Sequence, residues 1–326
     1  MTQKVCIYGA GAIGGWIGVK LAAAGSQVSV VARGATLAAL RQHGLRLIDS
    51  QGDRAVPVHA SADPAELGVQ DMVVIAVKAP ALADVARAIG PLLGPGTVVL
   101  TAMNGVPWWF LDGFGGALAG TRLKAVDPDG AIAQAIASRQ VVGCVVHASS
   151  SLDAPGVVRH HLGQRLIVGE PSGEKTPRVR ALVALLEQAG FETTLSERIQ
   201  HDTWFKLWGN LTMNPISAIT GADSQRILAD PLVRGFMSRV MLEAREIGAR
   251  LGIVIAQEPE DRHQVTAKLG PIKTSMLQDV EAGKPLELDA LVTAVCELGQ
   301  LTGVATPFTD ALLGLSRLQA QVRGLY

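Results

Sequence analysis

Lys4-Val5-Cys6-Ile7-Tyr8-Gly9-Ala10-Gly11-Ala12-Ile13-Gly14 is the stretch whose reading decides the fold. Val5 to Tyr8 is a short apolar run of strand type. The residues that follow the loop have helical character to about Ala24, and Gly25 is a natural helix stop. Between strand and helix stands Gly-x-Gly-x-x-Gly. In that setting the first glycine allows a tight turn, the second lets a pyrophosphate approach the backbone, and the third lets the helix pack closely on the strand. The phosphates then sit at the helix N-terminus, where free N–H groups and the helix dipole favour negative charge. Gly9, Gly11, Ala12, Ile13 and Gly14 are therefore expected to hold a dinucleotide.

The pattern continues outward from this unit. Gln27 to Ala32 reads as a second strand, and Met72 to Val77 and Thr97 to Thr101 as two more, both nearly all apolar. Apolar strands separated by helices imply a parallel sheet covered on both faces. Leu45–Ile48 and Val56–Ala60, separated by Asp49-Ser50-Gln51-Gly52-Asp53, read as a small hairpin beside it. From Val141 to about Gly169 the pattern is again strand-like, with a turn at Asp153-Ala154-Pro155-Gly156. Beyond about Glu197 the apolar positions recur at three and four. Leu232 to Leu251, started by Pro231, is one long amphipathic helix pattern, and Leu286 to Leu301 is another. The expected fold class is α/β, with an N-terminal Rossmann-like parallel-sheet domain over residues 1–196 followed by an all-α C-terminal domain over residues 197–326.

Bulk composition fits two domains, since 326 residues are more than one core usually serves. With 48% hydrophobic and 18% charged residues the chain is not a disordered one. A formal net charge of zero, with no Lys/Arg run longer than two, leaves no basic surface for nucleic acid and points to a small partner. No stretch approaches the roughly 18 apolar residues of a membrane span, and the N-terminal apolar run stops too early for a signal peptide. Cys6, Cys144 and Cys296 lie far apart and have no metal-ligand spacing, so buried thiols in a reducing cytoplasm are expected. His147, His160, His161, His201 and His263 form no helical pair of ligands, and no metal site is expected.

Two further features carry chemistry. The second strand ends Val30-Val31-Ala32-Arg33-Gly34, where an NAD-binding site usually offers an acid to the ribose hydroxyls. Arg33 is instead placed to fork a 2′-phosphate, which favours NADP(H). Farther along, Trp204, Phe205, Leu207, Trp208 and Leu211 make a strongly apolar helix. On it Lys206, Asn210 and Asn214 follow at i, i+4 and i+8 and so share one stripe. A cation and two amides on such a helix need partners, and a substrate carboxylate or carbonyl would supply them.

In sequence order Gly9-x-Gly-x-x-Gly, Arg33, Val77-Lys78, Asn104-Gly105, Lys206-x-x-x-Asn-x-x-x-Asn-Pro, Ser275-Met276-x-x-Asp279 and Glu287-x-Asp289 resemble the ketopantoate reductases (2-dehydropantoate 2-reductases) over essentially the whole chain. That resemblance implies NADPH-dependent reduction of a 2-oxo acid, with 2-dehydropantoate going to pantoate for pantothenate biosynthesis. It makes Lys206 the general acid beside the substrate carbonyl, with Glu287 holding Lys206 or the nascent hydroxyl. Asn104, Asn210, Asn214 and Ser275 would orient the substrate, while Lys78 and Asn104 would line the cofactor cleft. The partner is then a small 2-oxo acid, and a homodimer is the assembly left open.

The chain also departs from that family. Gly270-Pro271-Ile272-Lys273 stands where an Asn often precedes the Ser-Met pair. Ala290, Leu291, Val292 and Thr293 stand where Tyr and then Asn commonly follow Glu-x-Asp. A bulky Trp108-Trp109-Phe110 follows Asn104-Gly105, either as a wall of the substrate pocket or as packing against the second domain. A more apolar 2-oxo acid is thus an alternative substrate, and a non-enzymatic NADPH sensor an alternative of another class. A sensor has no use for a proton donor such as Lys206.

Overall fold

The computed structural model describes residues 2–326. They form two compact units, Met1–Met103 with Gly130–Asp202 and Asn104–Asp129 with Thr203–Tyr326.

The first unit is an α/β unit built on one sheet. Its elements are β1 (Lys4–Tyr8), α1 (Ala12–Ala23), β2 (Gln27–Val31), α2 (Gly34–His43), β3 (Leu45–Asp49), β4 (Gly52–Val56), β5 (His59–Ser61), β6 (Met72–Ile75), α3 (Leu82–Ala88), β7 (Val98–Thr101), α4 (Ala131–Ala135), β8 (Val141–Ala154), β9 (Val157–Gly169), α5 (Pro177–Gln188) and β10 (Glu192–Leu195). A parallel ladder runs β5-β2-β1-β6-β7-β8. Val5 on β1 lies between Val28 and Met72, and all three are buried. Central strands of this kind bury both faces, which is why their sequences read as unbroken apolar runs rather than alternations.

The sheet as a whole is mixed, where the sequence suggested a parallel one. β8 and β9 pair antiparallel through a two-residue connection, Pro155-Gly156. A link that short permits no parallel crossover. β3 and β10 then join β9 in parallel, and β4 closes on β3 antiparallel. The small hairpin is present, but its second strand is Gly52–Val56 rather than Val56–Ala60. Pro57 has no N–H to continue that ladder. His59–Ser61 instead pairs with β2 as a separate strand.

Helices make up most of the second unit: α6 (Ile199–Thr220, entering it at Thr203), α7 (Ser224–Ala229), α8 (Pro231–Arg250), α9 (Pro259–Ala267), α10 (Ser275–Glu281), a π-helical turn (Asp289–Thr293), α11 (Ala294–Thr302) and α12 (Pro307–Val322). Two indole donors fix α6 on α8. Trp204 Nε1 donates to the Ala244 carbonyl at 3.2 Å and Trp208 Nε1 to the Met241 carbonyl at 2.7 Å. Both rings are buried, and the bonds remove the cost of burying their N–H groups.

Residues 104–129 pack with these helices, although the sequence reading placed all of 1–196 in the first domain. Val106, Phe110, Leu111 and Leu123 share one core with Trp204, Trp208 and Met241. The Phe110 ring centroid is 5.8 Å from that of Trp204. Glu297 of α11 accepts hydrogen bonds from the Lys124 and Ala125 backbone N–H groups at 2.7 and 2.8 Å. Trp108, Trp109 and Phe110 are all buried, so of the two roles left open for this loop Phe110 takes the packing one. Phe110→Ala should accordingly lower stability by about 3–5 kcal/mol, the usual cost of emptying a packed aromatic site. Denaturant melts followed by circular dichroism measure this, and a loss below about 1 kcal/mol would place the ring outside the core.

Candidate active site

The glycine loop has the geometry its spacing suggests. Gly9 turns the chain at φ +102°, and a β-carbon there would lie 2.6 Å from Val77 Cγ1. One at Gly14 would lie 2.1 Å from the Gly9 carbonyl oxygen, so α1 is seated directly on the loop. Gly11 is different, because a β-carbon on it would meet nothing within 4 Å. It is the N-cap of α1 and offers no side chain to the helix head. The first intrahelical bond is Gly15 N–H to Gly11 O, which leaves the N–H groups of Ala12, Ile13 and Gly14 without helical acceptors. Open space beside a bare helix head is the cradle that a pyrophosphate requires.

Arg33 follows β2 and is exposed. Its Nη1 lies 3.7 Å from Asp84 Oδ2 of α3. Both side chains are solvated, so this pairing is weak and leaves the guanidinium able to take a stronger anion. Tyr8, at the end of β1, has a buried hydroxyl with no hydrogen-bond partner among the described residues. Burial raises its pKa, opposed by the nearby Arg33 charge. Lys78 is half-buried just beyond β6, at the head of the short turn Ala79–Ala81.

The lysine end lies wholly in the helical unit. Lys206, Asn210 and Asn214 do form one stripe on α6, the first two half-buried and the third buried. Lys206 Nζ donates to Asn104 Oδ1 at 2.8 Å, joining residues 102 positions apart. The side-chain amides of Asn210 and Asn214 make no hydrogen bond to another described residue. Polar groups so placed are open to a ligand.

Asn104 is held there by its neighbours. Gly105 sits at φ +84°, and a β-carbon on it would lie 2.5 Å from the Ala290 carbonyl oxygen. The next residue, Val106, donates its N–H to that same oxygen at 2.8 Å. Ala290 belongs to the π-helical turn, and an inserted residue of this kind takes a carbonyl out of the regular ladder. The freed acceptor is where the loop docks. Glu287, buried to 4% exposure, opens this helix, and its carbonyl accepts from Leu291 N–H at 3.1 Å. Asp289 accepts from Thr293 Oγ1 at 2.9 Å and from the Tyr326 hydroxyl at 2.7 Å. Burial, followed by that bond, pushes the Tyr326 phenol up to about 12. Ser275 is exposed as the first residue of α10, behind the Thr274 cap.

The structure thus brings Lys206 and Asn104 into contact and ties the Asn104 loop to the helix that Glu287 opens. Gly9, Gly11, Gly14, Arg33 and Lys78 stand in the first unit. Sequence reasoning did not single out Arg262, whose guanidinium packs on α6 against the Phe205 ring and the Gly209 backbone. The one available signal was a glycine, Gly209, in the middle of a strongly apolar helix. Among the described residues no three His, Cys, Asp or Glu side chains cluster as a metal site, and no helix is long and apolar enough to cross a membrane.

A glycine-cradled βαβ unit with a helical unit bearing a lysine–asparagine pair is the equipment of a nucleotide-dependent oxidoreductase. Residues 5–173 match the family described as ketopantoate reductase PanE/ApbA, and residues 198–320 match its C-terminal counterpart. The chain belongs to the ketopantoate reductase family, oxidoreductases that reduce 2-oxo acids. It is 48% identical to the 2-dehydropantoate 2-reductase of Mesorhizobium japonicum, over 99% of this chain and 100% of that one. A solved structure from Ralstonia solanacearum MolK2 is 55% identical, covers 100% of both chains and superposes with a TM-score of 0.96. The 2-dehydropantoate 2-reductase of Geobacter metallireducens GS-15 is 27% identical over 97% of this chain and 99% of that one, with a TM-score of 0.85.

Gly105→Ala tests the docking of the Asn104 loop. A β-carbon 2.5 Å from a carbonyl oxygen at positive φ should cost about 1–3 kcal/mol of stability. Turnover should fall by roughly tenfold or more as Asn104 shifts, given the steep dependence of rate on positioning. Calorimetry and steady-state kinetics on one preparation read both, and unchanged turnover would show that the loop need not be seated to this tolerance.

Proposed function

We propose that the protein reduces 2-dehydropantoate to pantoate with NADPH and so serves pantothenate formation. The observation that carries this reading is the Lys206 ammonium held 2.8 Å from Asn104 Oδ1, on a stripe with two uncommitted amides. Gly9, Gly11, Ala12, Ile13 and Gly14 would hold the pyrophosphate and Arg33 the 2′-phosphate, with Lys78 and Asn104 toward the nicotinamide. When bound, the dihydronicotinamide supplies the hydride. Asn210, Asn214 and Ser275 orient the oxo acid by its polar groups. As C2 takes the hydride, the carbonyl π electrons move to oxygen, and Lys206 Nζ stabilises that charge and transfers a proton to it. Glu287 holds the ammonium or the new hydroxyl. Lysine deprotonated in this step is restored from solvent.

A second reading, reduction of a more apolar 2-oxo acid, is favoured by buried Ala290, Leu291 and Val292 just beyond Glu287. A panel of branched 2-oxo acids with NADPH, followed at 340 nm, separates the two readings by the ranking of kcat/KM. The three thiols are free and buried, with Cys6 and Cys296 each pushed up to about 12, burial being the largest cause. Inert thiols of this kind suit a reducing cytoplasm, where we place the protein.

Arg33→Asp should weaken NADPH far more than NADH, measured as KM or by fluorescence titration of each cofactor. Equal losses would remove the phosphate fork. Lys206→Ala should lower kcat by roughly 10²–10⁴, the range for loss of a positioned acid, with little change in cofactor affinity. Near-normal turnover by that variant would take lysine out of the mechanism.

A further inference from the structure

We propose that Leu325 and Tyr326 form a clamp that positions Glu287 for proton transfer at Lys206, an inference that rests on 2-oxo acid reduction at that lysine. Both residues follow α12. The helix ends in a Schellman turn, with Gly324 N–H donating to the Gln321 carbonyl at 3.0 Å and Leu325 N–H to the Ala320 carbonyl at 2.8 Å. That turn sends the chain back toward its own unit. Leu325 is buried in the same core as Leu286, Leu288 and Leu291.

Two links run from this segment to the neighbours of Glu287, one on each side of it. Before Glu287, Leu286 donates its N–H to the Leu325 carbonyl at 3.0 Å. Beyond it, Asp289 Oδ1 accepts from the Tyr326 hydroxyl at 2.7 Å. The same oxygen accepts from Thr293 Oγ1 at 2.9 Å, at the far end of the π-helical turn. Residues 286 and 289 are thus tied to one short segment.

The stretch so held has little regular structure to hold itself. Residues 284–287 are irregular chain between α10 and the π-helical turn. The first N–H groups of a helix have no helical acceptors, and a π-helical turn departs from the usual bond ladder. A buried carboxylate on such a backbone is placed only as well as that backbone is tied down. The same turn supplies the Ala290 carbonyl that receives the Asn104 loop.

The hydroxyl of Tyr326 is the part of the clamp that sets position. Its ring is 48% exposed, so burial of that ring gives a modest share, and Leu325 supplies the apolar anchor. A bond to a carboxylate is stronger than one between neutral groups and fixes the Asp289 oxygen in direction as well as distance. Burial first, and the Asp289 bond second, hold the Tyr326 phenol up at about 12. The donor therefore keeps its proton at any ordinary assay pH, and the clamp does not titrate.

Tyr326→Phe removes the hydroxyl and keeps the ring. Deuterium exchange of a peptide spanning residues 286–291 should speed up roughly tenfold, as expected when one hydrogen bond to a charged group is lost, with exchange in α8 unchanged. On the 2-oxo acid that the unchanged protein turns over fastest, kcat should fall roughly five- to tenfold, with NADPH affinity unchanged. In a Glu287→Gln background the same substitution should lower kcat by less than about twofold, because the group to be positioned is already gone. Parent-like exchange over residues 286–291 would show that the hydroxyl does not hold the segment. An equal factor lost in both backgrounds would make its role structural alone. Either result overturns the proposal. Failure of the unchanged protein to reduce any 2-oxo acid would instead overturn the reaction read at Lys206, and the positioning role with it, whatever the exchange shows.

Discussion

The hydrogen bond from the Val106 N–H to the Ala290 carbonyl is the constraint on which the lysine end of this protein depends. It exists because a π-helical turn releases that carbonyl and because Gly105 has no side chain to keep the loop away. With the loop seated, Asn104 reaches the Lys206 ammonium. The same turn begins at the helix that Glu287 opens, so one irregularity in α-helical geometry bears on the placing of both Asn104 and Glu287. Irregular turns weaken a helix, and this one is retained where buried Leu291 and Val292 pack around it.

Helix α6 meets two demands that ordinarily conflict. Its apolar residues anchor it in a core through Trp204, Leu207, Trp208 and Leu211. Its other side bears a cation and two amides in surroundings that water reaches only partly. Each indole N–H has a carbonyl acceptor on α8, so the anchoring face leaves no polar atom of those rings unmatched. On the stripe face Lys206 is hydrogen-bonded to Asn104, while the two amides keep polar capacity in reserve.

Much of this was legible in the residues. The glycine loop, the four parallel strands near it and the Lys206 stripe follow from local spacing, since each is set by contacts between residues close in sequence or by a fixed helical period. The mixed character of the sheet was half visible, in the turn at Asp153 to Gly156, while the pairing of β3 with β9 was not, because nothing local to Arg46 names a partner at Val157. The membership of residues 104–129 in the helical unit was hidden for the same reason: a run of aromatics signals burial but not among which neighbours. The π-helical turn leaves no pattern in Asp289-Ala290-Leu291-Val292-Thr293, where the periodicity reads as an unbroken helix. Arg262 carries no local signal at all, since only the fold sets it against Gly209.

The chain leaves its first unit at Asn104, returns at Gly130 and leaves again at Thr203. That threading has a consequence during synthesis. Trp108, Trp109 and Phe110 emerge from the ribosome while the helices that will enclose Phe110 are still untranslated; Trp204 comes almost a hundred residues later and Met241 later still. At typical elongation rates of about 5–20 residues per second, these rings wait for several seconds while β8, β9 and β10 of the sheet are also still to be made. The helical unit cannot close from its own contiguous sequence alone, since part of its core is made before the sheet is finished. Assembly order is thereby built into the gene, and the nascent chain offers a holding chaperone one well-defined apolar handle.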